Sequence, residues 1–456
     1  MKVDVVIIGS GQAGVPLAAR LAGAGRKVVL AERKALGGTC VNYGCTPTKT
    51  MVASARAAHV ARTAGRLGVR AAGVRVSLAA VVDRKDAIVR RWREGIAKRL
   101  QEAGPRLKLV RGQARFRGPR QVEVAGDRYE ADTVIVNVGA RPAVPPIDGL
   151  EKLPWLDNTR VMRLRQVPPH LIVLGGGYIG CEFAQMFRRF GSRVTIVDQA
   201  EHLMSMEEPE ACTALEKAFR AERIRLVLKT KAESATGRRG AVTLRLDKRR
   251  SVTGSHLLVA VGRRPNTDDL GADAAGVRLD KKGYIEVDDR YRTSADGVYA
   301  VGDCVPGPQF THASWDDHRI LFDLLQGQGA RSRKDRLIPI TAFTDPQVAR
   351  IGLTERDARA QGHEPEVATL AFEEIARAPE TDEPAGTMKV LLDPATEKVL
   401  GASIVGAEAG ELIHVFAPLM MAGAPARAIV DAEFVHPTFA EGVQSLVMKL
   451  KRYEIE

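Results

Sequence analysis

Short, unbroken apolar runs recur along the chain, each ending in glycine or an acid. Val5-Val6-Ile7-Ile8, Val28-Val29-Leu30-Ala31, Leu171-Ile172-Val173-Leu174 and Val194-Thr195-Ile196-Val197 are the clearest. Each is too short for a helix of ordinary length and predicts a buried strand. The first run leads into Gly9-Ser10-Gly11-Gln12-Ala13-Gly14, then a helical stretch from Val15 to Ala22, then the strand ending at Glu32. The third leads into Gly175-Gly176-Gly177-Tyr178-Ile179-Gly180, a helix through Phe190, and a strand ending at Asp198. One strand-turn-helix-strand unit therefore occurs twice.

Two further turns, Val138-Gly139-Ala140-Arg141-Pro142 and Val261-Gly262-Arg263-Arg264-Pro265, each follow an apolar strand and bracket the second unit. They predict paired crossings between domains. Gly297-Val298-Tyr299-Ala300-Val301-Gly302-Asp303 reads as another strand ending in an acid. From about Pro339 the pattern changes to strands and a hairpin, then helices. Lys389 to Leu392 should pair with Val399 to Val405 through Asp393-Pro394-Ala395-Thr396, whose Asp and Pro suit a turn. A chain of 456 residues exceeds one hydrophobic core, so several domains are expected.

A lone glycine turn of this kind is weak, but both copies lie between a strand and a helix. Each also has an acid at the end of the next strand, at the same offset from its first glycine. Gly9, Gly11 and Gly14, and likewise Gly175, Gly177 and Gly180, would permit the turn, the approach of a pyrophosphate and close helix packing. Glu32 and Asp198 would accept hydrogen bonds from ribose hydroxyls. Two bound dinucleotides are the implication.

Between the units lies Gly37-Gly38-Thr39-Cys40-Val41-Asn42-Tyr43-Gly44-Cys45-Thr46-Pro47-Thr48-Lys49. Residues five apart in a regular α-helix have Cα atoms roughly 8 to 9 Å apart, whereas a disulfide needs less than about 7 Å. A bond between Cys40 and Cys45 would therefore require a distorted helix start, which Gly44 permits, and Pro47 suits a restarted first turn. A thiolate near that helix N-terminus is expected to have a lowered pKa. The pair alone would also suit two buried, unpaired cysteines. A zinc site finds no second Cys/His pair nearby in sequence. Cys181, Cys212 and Cys304 read as small packing residues.

The composition, 45% hydrophobic and 27% charged, is that of a globular protein. The net charge of +13 is spread in short groups such as Lys248-Arg249-Arg250, with acids between them and no aromatic-interleaved basic stripe. That argues against nucleic acid and for a solvated surface that suits anionic dinucleotides. No run of about 18 apolar residues predicts a membrane span. Met1 leads straight into a strand, leaving no room for a signal peptide, so a cytoplasmic protein is expected, in which a disulfide would be catalytic.

Taken together, these motifs resemble the class I pyridine nucleotide-disulfide oxidoreductases, a family that includes glutathione reductase, dihydrolipoamide dehydrogenase and mercuric reductase. Phe343-Thr344-Asp345-Pro346, Gly352-Leu353-Thr354-Glu355 and His436-Pro437-Thr438-Phe439-Ala440-Glu441 complete the pattern over nearly the whole chain. The resemblance implies an α/β fold with two Rossmann-like domains and a C-terminal α+β dimerisation domain. Residues 1–149 and 265–335 would bind FAD, 150–264 NAD(P), and 336–456 would form the interface of an obligate homodimer.

By the same resemblance, Cys40 is the thiol that meets the acceptor and Cys45 the flavin-side thiol of a redox-active disulfide. His436, supplied by the second subunit and oriented by Glu441, would handle protons. Lys49 and Glu182 would pair beside the flavin, and Tyr178 would cover it until the nicotinamide arrives. Glu32 would hold the FAD ribose and Asp303 the ribitol, with Gly38, Thr39, Gly139 and Gly262 also in the cofactor cradles. No resident metal is implied. Asp198 favours NADH over NADPH, with Arg193 as the nearby cation that would suit a 2′-phosphate.

The acceptor stays open among a small disulfide, a quinone and a metal ion. Gln309-Phe310-Thr311-His312, Asp316-Asp317, Arg319 and Pro47-Thr48-Lys49-Thr50 are similar to the mercuric reductase branch. The end, Lys451-Arg452-Tyr453-Glu454-Ile455-Glu456, lacks that branch's metal-handling cysteine pair. His436 points to thiol-disulfide chemistry instead.

Overall fold

The computed structural model describes residues 1–247 and 249–453; Lys248 of the basic group and Glu454-Ile455-Glu456 of the tail lie outside the described residues. It resolves into two compact units, one of residues 1–50, 80–143 and 262–336, the other of 51–79, 144–261 and 337–456.

The first unit is built on a seven-stranded sheet. Its central strand, Lys2–Ile8, pairs in parallel with Val28–Glu32 on one side and Asp127–Val136 on the other. Leu107–Arg111 extends one edge and Val298–Ala300 pairs with Asp127–Val136, both in parallel. Side chains alternate across the sheet, so Val5 and Ile7 join one core with Val28, Leu30 and the helix Gly14–Gly23. Val6 and Ile8 join a second core with Val29, Ala31, Val134 and Val136. Burial on both faces is why these strands carry unbroken apolar runs.

The second unit repeats the plan. His170–Leu174 pairs in parallel with Arg193–Val197 and His256–Val259, and Arg225–Val227 completes a four-stranded sheet. An antiparallel five-stranded sheet in the same unit runs Ile340–Ala342, Gln347–Gly352, Val399–Gly406, Thr387–Leu392, Glu366–Ala371. The expected hairpin is present, with Leu392 opposite Val399. The two bracketing turns also pair, Ala140–Pro142 antiparallel to Arg263–Pro265, within the first unit.

Candidate active site

Both glycine turns are shaped by close backbone approach. A Cβ on Gly14 would lie 2.1 Å from the Gly9 carbonyl oxygen, and one on Gly180 would lie 1.9 Å from that of Gly175. Gly9 and Gly175 themselves hold φ of +107° and +110°, with a backbone oxygen, of Asn137 and Ala260 respectively, where a Cβ would sit. The helices Gly14–Gly23 and Tyr178–Phe190 that follow have no side-chain cap and no acid in the first turn. Their leading N–H groups are thus left without a side-chain acceptor, which suits phosphate oxygens. A Cβ on Gly177 would meet nothing within 4 Å, leaving room for a ligand to approach the backbone. The residues present fit a dinucleotide at each turn.

The strand-end acids clasp these turns identically. Glu32 Oε2 accepts from the Ser10 N–H (2.9 Å) and hydroxyl (2.6 Å), and Oε1 accepts from the Lys34 N–H at 2.6 Å. Asp198 Oδ2 accepts from the Gly176 N–H at 2.5 Å and Oδ1 from the Ala200 N–H at 2.7 Å. Asn137, which sequence reading passed over, donates from Nδ2 to the Gly9 carbonyl at 3.2 Å. Its Oδ1 also lies 2.9 Å from where a Cβ on Gly302 would be, so it lies against both the glycine turn and the Gly302-Asp303 turn. Asp303 pairs with Arg263 at 2.7 Å, and Arg263 also donates to the Ala140 carbonyl at 3.0 Å.

The cysteine segment is stitched to the first turn. Gly37 N–H donates to the Ser10 carbonyl at 3.1 Å, and Gly38, at φ +60°, packs where a Cβ would lie 2.7 Å from Gly11 Cα. A short helix, Gly38–Tyr43, carries Thr39 and Cys40 and stops at Gly44, whose φ of −127° and ψ of −118° are not helical. A second helix, Cys45–Thr63, then starts with the Gly44 carbonyl accepting from the Thr48 N–H at 3.0 Å. The expected break and restart are both present.

Cys40 and Cys45 are half-buried free thiols with their side chains in hydrogen-bond contact. Thr311, opening the helix Thr311–Leu325, places its hydroxyl 3.0 Å from Cys45 Sγ and hydrogen-bonds Cys40 as well. One hydroxyl thus serves both sulfurs, and sequence reading had noted Thr311 only as part of a resemblance. The expectation of a lowered pKa fails for Cys40. Its hydrogen bond with Cys45, then burial and the charge of Cys45, push it up, outweighing the lowering by Thr311 and the Thr46 backbone. A second negative charge beside that of Cys45 is disfavoured, which explains the sign. Cys181, Cys212 and Cys304 are buried, as expected of packing residues.

Gly139 and Gly262 lie in the first unit, as does Lys49, half-buried on Cys45–Thr63, and the remaining candidates lie in the second. Glu182 is buried and accepts from the Phe343 N–H at 2.9 Å. His436 Nδ1 lies 2.8 Å from Glu441 Oε2, and Glu441 Oε1 accepts from the Thr438 N–H at 3.3 Å, which fixes the carboxylate and through it the ring. The imidazole side chain is 70% exposed. Tyr178 is half-buried and donates its hydroxyl to Glu207. Among the described residues no cluster of three or more His, Cys, Asp or Glu could hold a metal, and no helix is long and apolar enough to cross a membrane.

Residues 3–317 match the family model described as pyridine nucleotide-disulphide oxidoreductase, and residues 338–447 match the dimerisation domain of that family. The fold superposes on the HOCl-induced flavoprotein disulfide reductase RclA from Escherichia coli with a TM-score of 0.90, at 34% identity over 98% of this chain and all of RclA. A Cu(II) complex of RclA superposes with a TM-score of 0.91. A mercuric reductase of Lysinibacillus sphaericus is 34% identical over 97% of this chain and 81% of its own length. A dihydrolipoyl dehydrogenase of Thermus scotoductus is 33% identical over 99% of this chain and 98% of its own.

Proposed function

Since the chain belongs to the pyridine nucleotide-disulphide oxidoreductase family, we propose that Cys40 and Cys45 are its redox pair and that a small disulfide is its acceptor. It is a flavoprotein disulfide reductase that uses FAD and NAD(P)H. Contact between the two sulfurs across the helix break at Gly44 is the observation that carries the assignment of the pair.

FAD, when bound, supplies the two-electron relay between the nicotinamide and the sulfur pair. Residues 1–149 and 265–335 hold it in this reading, with Gly9, Gly11, Gly14, Gly38, Thr39 and Gly139 along the backbone, Glu32 at the ribose and Asp303 at the ribitol. Residues 150–264 hold the nicotinamide dinucleotide through Gly175, Gly177, Gly180 and Gly262. Asp198 there favours NADH, because its charge would repel a 2′-phosphate. By the family pattern, Lys49 and Glu182 would be the charged pair that serves the flavin, and Tyr178 would be the ring that yields to the nicotinamide.

Hydride from NADH plus one solvent proton converts the Cys40–Cys45 disulfide into two thiols. Cys40, as thiolate, attacks one sulfur of the acceptor and releases the first product thiol. Cys45 then attacks Cys40 within the mixed disulfide, restoring the internal bond and releasing the second. His436 takes the proton from Cys40 and gives it to the first departing thiolate, and the proton that Cys45 loses goes to the second, with Glu441 holding the imidazole's orientation. The chain carries the family's dimerisation domain, and an obligate homodimer follows in this reading because His436 serves the other subunit's cysteines. A cytoplasmic location suits a cycling thiol pair.

Thiol counting tests the pair. Anaerobic addition of one equivalent of NADH to the oxidised holoenzyme, followed by denaturation, should expose two additional titratable thiols, and Cys40→Ser or Cys45→Ser should abolish the gain. An unchanged count in FAD-loaded enzyme would refute the assignment. A metal ion is the second reading of the acceptor, favoured by the Cu(II) complex of RclA and the likeness to mercuric reductase.

A further inference from the structure

Glu207 and Arg350 belong to none of the motifs above, yet they meet Tyr178, which lies within the second glycine turn and opens the helix Tyr178–Phe190. Glu207 lies between the strand Arg193–Val197 and the helix Pro209–Ala221, and its side chain is 1% exposed. Arg350, on the strand Gln347–Gly352, holds Glu207 Oε2 through Nε at 2.8 Å and is itself fixed by donating to the Gly352 carbonyl at 2.8 Å. Glu207 Oε1 accepts the Tyr178 hydroxyl and a longer contact from Arg350 Nη2 at 3.4 Å.

A buried carboxylate is tolerable only with such partners. Arg350 keeps the charge on Glu207, and that charge makes the bond from Tyr178 one of the stronger class. Burial, then the charge and hydrogen bond of Glu207, hold the Tyr178 phenol above its ordinary pKa. The phenol therefore remains a donor at any working pH, and the bond breaks only when the ring moves.

We propose that Glu207 and Arg350 form a latch on Tyr178, so that binding of the nicotinamide half must break the Tyr178–Glu207 hydrogen bond before the ring can leave. The inference rests on the reading of Tyr178 as the gate. Glu207 and Arg350 are positioning residues in it, since they act through Tyr178. Part of the nicotinamide's binding energy goes into opening the latch, while the adenosine and pyrophosphate bind with it closed.

NAD+ and ADP-ribose, which lacks the nicotinamide, separate the two halves. Their dissociation constants would be measured calorimetrically on FAD-loaded dimer. Tyr178→Phe keeps the ring and loses the bond, so NAD+ should bind about tenfold more tightly with ADP-ribose unchanged. Glu207→Gln should act in the same direction, and the double variant should gain no more than Tyr178→Phe alone. KM for NADH should fall in Glu207→Gln in step with the tighter NAD+ binding. Tyr178→Ala separates the latch from the gate. If it tightens NAD+ while Tyr178→Phe leaves the NAD+ to ADP-ribose ratio at the wild-type value, the latch is overturned and the gate stands. If it leaves that ratio unchanged as well, both fall. Should Glu207→Gln fail to fold, Tyr178→Phe decides by itself, and weakening of both ligands in Tyr178→Phe would also overturn the latch.

Discussion

Replacing Thr311 by valine keeps the shape of the side chain and removes the one hydroxyl that reaches both sulfurs. The hydroxyl sits 3.0 Å from Cys45 Sγ and lowers the Cys40 pKa against the causes that raise it. A hydrogen bond to an ionised group contributes about 1.5 to 3 kcal/mol, and each 1.36 kcal/mol is a factor of ten in the thiolate population. Thr311→Val should thus deplete the Cys40 thiolate roughly ten- to a hundredfold at neutral pH. The thiolate that remains is more nucleophilic, with a Brønsted coefficient of about 0.4 to 0.5, which recovers nearly half of the effect on a logarithmic scale. The net expectation is a fall of roughly three- to fifteenfold in the rate at which iodoacetamide labels Cys40 in the NADH-reduced enzyme.

Peptide mapping after anaerobic labelling at pH 7 would read that rate. Competing signal from Cys181, Cys212 and Cys304 should be small because all three are buried, and fragmentation of the labelled peptide separates Cys40 from the half-buried Cys45. Thr311→Ser restores a hydroxyl and should restore most of the rate. If Thr311→Val is labelled as fast as the wild type, or if Thr311→Ser is as slow as Thr311→Val, the hydroxyl does not support the thiolate.

Three other outcomes are expected. His436→Gln should cut kcat with a small disulfide by roughly 10²- to 10⁴-fold and affect a metal ion or quinone much less; equal losses with every acceptor would argue against a proton-transfer role. Gly14→Ala forces a Cβ to within 2.1 Å of the Gly9 oxygen and should yield protein deficient in flavin, read from its visible absorbance. Burial pushes the Asp345 carboxyl up, but Arg189 and Arg56 outweigh it and hold the group below the ordinary range. That stabilisation is present above about pH 4 and is lost as pH falls through the folded-state value. Asp345→Asn should therefore cost about 1 to 3 kcal/mol at pH 7 by urea titration, with the difference shrinking in acid; a constant difference from pH 7 to pH 3 would contradict the pairing.

Much of the fold is legible in the sequence because its cues are local. Strands buried on both faces write themselves as apolar runs, and turns that exclude a Cβ write themselves as glycines. The helix break at Gly44 could be anticipated because the spacing of Cys40 and Cys45 does not suit a continuous helix. Asn137, Thr311, Glu207 and Arg350 were harder to find. Each acts on a partner more than 25 residues away in sequence, and a single polar residue in a strand or at a helix start carries no periodic signal. The Cys40 pKa shift was misjudged for a related reason: the helix terminus was weighed, but the neighbouring sulfur, brought close only by folding, has the larger effect.

Asp198 is a tether and, in the proposed reading, the selector as well. Its two oxygens close the loop onto the Gly176 and Ala200 amides, so a substitution made to welcome a 2′-phosphate would also untie the turn that seats the pyrophosphate. If Asp198 selects the nucleotide as proposed, the preference should be hard to rewrite at that position alone. A successful exchange would have to bring a replacement acceptor for the two freed amides along with the new cation.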